Sequence, residues 1–166
     1  MSPQAKIFLE AFSKNRAINK EFYSLVPEDK LDFRMVDTPE RKSDSPRESI
    51  VHQVYVTRNY IHSVEVGEYK WSDERYEQVM KEDISGFNKQ QLLVELKKTE
   101  KELVGLLSHE SINSKQVKVS KNSKPISFIS SLWGLNNHEI LHMGWNLAIM
   151  DHLDIPRFQK LKEMWG

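Results

Sequence analysis

The chain has 166 residues, of which 39% are hydrophobic and 29% charged, and its 24 basic side chains balance its 24 acidic ones. A chain of this length can bury a core without covalent staples. The zero net charge gives no overall signal for binding nucleic acid or an acidic membrane surface. Because the sequence has no cysteine, disulfides, thiolate nucleophiles and zinc–thiolate sites are excluded. Any metal must be held by His, Asp or Glu.

The bulk features also predict where the protein works and how it is organised. The stretch from Met1 to Glu10 lacks the layout of a signal peptide, and no apolar run approaches the length of a membrane span. Six glycines and six prolines are too few for a turn-rich all-β fold. We therefore expect one cytoplasmic domain over residues 1–166, with no membrane or nucleic-acid partner.

The first two helices are predicted from periodicity and capping residues. Apolar residues at spacings of three and four run from about Pro3 to Ser24, which indicates an amphipathic helix. After a polar loop, Ser45 stands at the N-cap position and Glu48 three residues later, as in a capping box. The second helix is thus predicted over Pro46–Val66, with Gly67 ending it.

The remaining elements are also helical. A short turn or helix is predicted around Asp73–Met80, a third long helix over about Asn88–Ser108, and a last one over about Ile126–Leu153. Within the polar connection 109–125, residues 110–124 have room for a short strand pair, and a short tail follows Pro156. Four long helices with long connections predict an all-α four-helix bundle with short extra helical or strand turns.

The last helix carries two histidines four residues apart. His138 and His142 leave one face of the helix one turn apart, a spacing at which two imidazoles can bind one metal ion. Steps of three and four align them with Leu135, Trp145 and Ile149, which predicts core positions. Buried imidazoles need a partner, and a metal ion would satisfy both. The alternative is a pair of core histidines bonded to backbone carbonyls or waters.

The same segment matches the H-E-x-x-H signature of zinc peptidases, with Glu139 as the general base. The extended form of that signature requires glycine and histidine where this chain has Trp145 and Ala148. A downstream glutamate ligand would have to be Glu163, close to the C-terminus, and no strand is predicted to hold a peptide. The peptidase interpretation is therefore disfavoured.

Other features of the helices are ambiguous. A second apolar face of the last helix indicates either a central helix or a homodimer contact; it consists of Ile129, Trp133, Ile140 and Leu147. His62, His109 and His152 have polar neighbours or end a helix, which gives them no special role. His52 lies in the first turns of the second helix, away from its main apolar stripe, so periodicity alone assigns it no function.

Several short phrases of the sequence occur together in one known family. They are Leu31-Asp32-Phe33-Arg34 after the first helix, a single histidine (His52) early in the second, His138-x-x-x-His142-x-Gly144 in the last, and the endings Leu153–Pro156 and Trp165-Gly166. Over nearly its whole length the chain thereby resembles the DinB-like (DinB/YfiT-like) family of helical-bundle metalloenzymes. Trp145 departs from the pattern, because glutamine is frequent at this position.

The resemblance implies that His52, His138 and His142 hold one divalent transition metal ion, such as zinc, nickel or iron, with other coordination positions open to water or substrate. It implies a metal-dependent enzyme, either a thiol-dependent S-transferase or a related hydrolase, acting on a small molecule such as a low-molecular-weight thiol. Catalytic residues beyond the ligands are not identified. The alternative is a non-catalytic metal-binding or stress-response protein. A metal position that opens into a pocket would favour the enzyme, and a sealed one the alternative.

Overall fold

The computed structural model of the protein describes residues 1–165, except for the side chain of Trp165. Over these residues it is mostly helical, which confirms the all-α prediction. The α-helices are α1 Pro3–Leu25, α2 Pro46–Val66, α3 Asp73–Met80, α4 Lys89–Ser108, α5 Phe128–His152 and α6 Gln159–Trp165. Short 3-10 helices occupy Glu28–Lys30 and Glu110–Ser114, and two short strands are β1 Gln116–Val117 and β2 Ile126–Ser127.

Local capping sets the ends of the long helices. At the start of α2, the Ser45 side chain accepts from the backbone N–H of Glu48, while the Glu48 carboxylate accepts from the backbone N–H of Ser45. Gly67 ends the helix with a φ of 77°, in the left-handed region that glycine adopts without strain. Asn88 and Gln91 form a second capping box before α4. The sequence predicted these boundaries to within a residue because they depend on neighbouring side chains.

The four long helices pack around a shared core. Helix α1 packs against α5 and α4, and α2 packs against α4 and α5. Asn15 bonds Asn136 and Asn19 bonds Asn146, so α1 and α5 run in the same direction. Fully buried apolar side chains come from every long helix, among them Phe8, Phe12, Ile50, Leu96 and Leu132. Their removal from water is the main favourable contribution to folding.

The chain departs from the predicted elements near its C-terminal end. Helix α5 begins at Phe128, because Ile126 and Ser127 pair antiparallel with Val117 and Gln116. The predicted tail forms α6 instead, and Leu161 packs into the core with 3% of its surface exposed. Gly166 lies outside the described residues. Among residues 1–165, no helix is both long enough and apolar enough to cross a membrane.

Candidate metal centre

Three histidines from two helices meet near the surface. His52 lies in the second turn of α2, and His138 and His142 lie one turn apart in the middle of α5. One ring nitrogen from each comes within 4.8 Å of the other two. The ring centroids are separated by 4.5 Å for the α5 pair, and by 4.9 and 5.6 Å from His52 to His138 and His142. We call these residues the histidine cluster.

The spacing of the α5 pair matches two ligands of one ion. The Nε2 atoms of His138 and His142 lie 3.2 Å apart. Two imidazoles on a tetrahedral zinc ion, each with a bond of about 2.05 Å, would place their nitrogens about 3.3 Å apart. The residues therefore fit a small divalent ion without a change of helix geometry.

The surroundings keep the cluster uncharged. Burial, and then the neighbouring His52 and the Arg16 charge, lower the pKa of His138 to about 3. Burial, and then the other two histidines, lower the pKa of His142 to about 3 as well. Burial also lowers the pKa of His52. At neutral pH the imidazoles are thus unprotonated and offer the lone pairs that a metal requires.

Core positions were predicted for His138 and His142 but not for His52, and only His142 is buried. His142 is buried, with 8% of its surface exposed, but His138 is half-buried and His52 is exposed. The centre of the buried face of α5 is instead Glu139, which is 0% exposed. The prediction failed for His138 because sequence periodicity treated a glutamate as a surface residue, and the partner that allows its burial lies far away in the sequence.

Glu139 is paired with α1 rather than with the histidine cluster. Arg16 donates to both carboxylate oxygens, from Nε at 2.9 Å and Nη2 at 2.7 Å. Asn19 Nδ2 donates to the same carboxylate and to the backbone oxygen of Glu139, at 3.0 Å each. A carboxylate with these bonds and no exposed surface is not available as a general base. The H-E-x-x-H match therefore lacks the residue that would give it a peptidase mechanism.

The histidine cluster opens into a pocket of about 440 Å³. Its remaining wall consists of Arg41, Lys42, Ser43, Asp44, Ser49, Leu141 and Trp145. Sequence reasoning assigned none of these a pocket position. Ser49, Leu141 and Trp145 could have been found, because each lies within three residues of a cluster histidine on the same helix. The loop residues 41–44 gave no such signal.

Two charged residues of the phrase Leu31-Asp32-Phe33-Arg34 anchor the start of α2 and the loop 41–44. Arg47 at the start of α2 donates to both carboxylate oxygens of Asp32, at 2.7 and 3.2 Å. Arg34 pairs with Glu48 and also donates to the backbone oxygen of Ser43. Asp32 and Arg34 thus act on the pocket indirectly, through the wall and the start of α2.

The other histidines and the second apolar face lie apart from the pocket. His62 Nδ1 lies 3.3 Å from Glu65, His109 caps the C-terminal end of α4, and His152 bonds the backbone oxygen of Ala148. On the second face of α5, Trp133 and Ile140 are 42% and 38% exposed. A homodimer through this face stays a prediction.

Comparisons with known proteins identify the fold. No family model matches the sequence, and no curated protein matches it. The structure is similar to the crystal structure of a DinB-like protein, YjoA, from Bacillus subtilis, with a TM-score of 0.67 over 92% of this chain and 95% of that chain. The sequence identity is 15%. The chain therefore has the DinB-like fold, as its sequence predicted, and the likeness at this identity concerns the fold alone.

Proposed function

We propose that His52, His138 and His142 bind one divalent transition metal ion, and that the protein is a metal-dependent enzyme acting on a small molecule in the adjoining pocket. The observation that carries this proposal is the convergence of three ring nitrogens within 4.8 Å. Three imidazole ligands leave coordination positions free, which is the arrangement of catalytic rather than structural metal sites. Imidazole suits zinc, nickel and iron alike.

The proposed reaction is thiol-dependent S-transfer or a related hydrolysis. A divalent ion held here would lower the pKa of a coordinated thiol or water and supply a nucleophile at neutral pH. The chain itself provides neutral ligands and a partly apolar wall from Leu141 and Trp145. The pocket volume of about 440 Å³ is at the small end of the range for small-molecule sites, which suits a low-molecular-weight thiol.

The alternative is a metal-binding or stress-response protein without catalysis. That function requires no access to the metal, and side chains would be expected to close the site. The histidines line a pocket and His52 is exposed, which supports the enzyme.

Metal binding is tested by titrating metal-free protein with zinc and with cobalt. We expect one equivalent to bind, and His142→Ala to abolish tight binding because it removes the most buried ligand. His109→Ala is the matched control, since His109 is an exposed histidine at the end of α4. Unchanged metal affinity in His142→Ala would refute the ligand assignment.

Catalysis is tested with the metal-loaded protein. Consumption of cysteine or glutathione with 1-chloro-2,4-dinitrobenzene reports S-transfer, and release of nitrophenol from 4-nitrophenyl acetate reports hydrolysis. We expect one of these rates to fall on chelation and to recover when the metal is restored. Tight metal binding without turnover of any thiol or ester would favour the non-catalytic alternative.

A further inference from the structure

A layer of buried polar side chains involves the same two helices that carry the histidine cluster. It joins Arg16 and Asn19 of α1 with Gln53 and Thr57 of α2 and Glu139 of α5, and we call these five residues the polar clamp. Each is 0% exposed. Glu139 lies between the two histidines of α5 in sequence, and Gln53 directly follows His52. The clamp therefore touches both helices that carry the cluster.

One guanidinium bridges these two helices. Arg16 Nη2 donates to the Glu139 carboxylate on α5 at 2.7 Å and to the Thr57 hydroxyl on α2 at 2.8 Å. The guanidinium also lies 4.9 Å from the centroid of the Phe12 ring, which restricts its movement. Because arginine is planar and donates in fixed directions, these bonds define the distance and rotation between the helices.

Asn19 makes a second bridge one turn further along α1. Its Nδ2 donates to the Glu139 carboxylate at 3.0 Å and lies 3.5 Å from Gln53 Oε1 on α2. Its own Oδ1 accepts from Asn146 of α5 at 2.9 Å. Two consecutive turns of α1 thus hold α2 and α5 in one register.

Stability alone does not account for a charged pair in this position. Removing two charges from water costs about as much as their attraction returns, and apolar replacements of similar volume are often neutral or stabilising. An ion pair instead fixes the relative orientation of the helices that carry it, because its hydrogen bonds form in one geometry only. The metal ligands need a fixed orientation of this kind, since they come from two different helices.

We propose that Arg16 and Glu139 are positioning residues, which hold His138 and His142 opposite His52 through the polar clamp. The inference rests on the proposed function for its metal-binding readout, and it assigns to Glu139 a role other than the general base suggested by H-E-x-x-H. Groups that hydrogen-bond directly to metal-binding histidines typically change metal affinity about 10–100-fold when they are replaced. Arg16 and Glu139 act through the helices instead, so we expect an effect near the tenfold end of this range.

The test replaces the whole pair with apolar side chains, as Arg16→Met/Glu139→Leu, so that no buried charge is left alone. The matched control is Arg58→Met/Glu95→Leu, which removes a second little-exposed ion pair, between α2 and α4. Zinc affinity is measured by competition with a chromophoric chelator, ligand geometry by the visible spectrum of the cobalt form, and folding by circular dichroism. We expect the first variant to fold but to bind zinc about tenfold more weakly with an altered cobalt spectrum, and the control to match the wild type.

Unchanged zinc affinity and cobalt spectrum in a folded Arg16→Met/Glu139→Leu protein would overturn the proposal, as would an equal loss in the control. If that variant does not fold, Arg16→Lys decides, because lysine keeps the charge but not the fork that reaches Thr57 and Glu139 together. Weaker zinc binding in folded Arg16→Lys supports the proposal, and wild-type binding overturns it.

A metal-independent readout separates this inference from the proposed function. In metal-free protein, nuclear Overhauser effects between the rings of His52 and His138 report whether the cluster is assembled. We expect these effects in the wild type and in the Arg58→Met/Glu95→Leu control, and their loss in Arg16→Met/Glu139→Leu. Wild-type protein that shows them but binds no metal would refute the metal site and leave the positioning role standing. Their persistence in the clamp variant would refute the positioning role.

Discussion

Helices α4 and α5 both pack against α1 and α2, but they bury different kinds of side chain. From α4, four leucines enter the core: Leu92, Leu96, Leu103 and Leu107. From the buried face of α5, Asn136, Glu139 and Asn146 meet the polar side chains of α1. Apolar contact is non-directional and tolerates small shifts, whereas hydrogen-bonded pairs are satisfied in one arrangement. Both helices bury apolar side chains, but α5 also places directional polar pairs in the core, next to the histidine cluster.

The ion pair that involves α5 and the ion pair that involves α4 differ in their exposure to solvent. The side chains of Arg16 and Glu139 are both 0% exposed. Those of Arg58 and Glu95, between α2 and α4, are 10% and 9% exposed, and Glu95 has a further partner in Lys98. Removing the arginine of each pair should therefore lower the free energy of unfolding by different amounts.

Breaking the buried pair on one side only should have the largest effect. Arg16→Met leaves the Glu139 carboxylate in the core without a counter-charge, which typically destabilises a protein by about 3–5 kcal/mol. The free energy of unfolding in urea measures this loss. Adding Glu139→Leu should restore most of it, and a single variant that loses less than about 1 kcal/mol would contradict the burial of an ion pair here.

Removing a leucine on the α4 side should affect stability without affecting the metal. Leu96→Ala deletes a side chain with no exposed surface, and such truncations cost about 2–5 kcal/mol. We expect the zinc affinity of the folded variant to equal that of the wild type, because the clamp is intact. A large loss of affinity, measured by chelator competition well below the unfolding midpoint, would show that the two sides are not separable.

Lowering the pH should destabilise the protein through the histidines of α5 at pH values above those at which the carboxylates become protonated. The pKa of His138 and His142 is lowered to about 3 from 6.5, so the unfolded state binds more protons between these values. Stability is therefore present above pH 6.5 and is lost as the pH falls towards 3. For metal-free protein we expect a loss of up to about 2 kcal/mol between pH 7.5 and 5.5, allowing for solvent screening at half-buried His138.

The urea midpoint at each pH measures this effect, and His138→Ala/His142→Ala is the control. Its midpoint should change less over the same range. Asp32, Glu48 and Glu95, whose pKa values are also lowered, lose their contribution only near and below their ordinary values of about 4. An equal acid response in the double variant would show that the histidines are not its source.

The smallest effect is expected at the pair between α2 and α4. Arg58→Met leaves Glu95 with Lys98 as a partner at 3.2 Å, so the Glu95 charge keeps a counter-charge and we expect a loss of about 1 kcal/mol or less. Urea unfolding alongside Arg16→Met provides the comparison. Equal losses at the two sites would remove the distinction between them.

Much of the fold could be predicted from neighbouring residues. The start of α2 at Pro46 and its end at Gly67 depend on side chains within a few positions, and both predictions are confirmed. The tail that became α6 was missed because its helix packs Leu161 into a core formed by distant segments. A short strand pair was predicted within the polar connection that precedes α5. In the structure, β2 follows that connection and moves the start of α5 to Phe128.

In the candidate site too, features set by local helix geometry were predictable, and features set by packing between helices were not. By itself the sequence determined that His138 and His142 leave one turn of a helix together, because that follows from helical geometry. The family resemblance implied His52 as the third ligand, but only the tertiary structure placed its ring beside the other two. Only the tertiary structure revealed Glu139 as the buried centre of α5, because its partner Arg16 is 123 residues away along the chain. Contacts between helices depend on how their faces pack, which no local pattern specifies. For the same reason, Glu139 lies among the histidines in the sequence but belongs to the core in the folded protein.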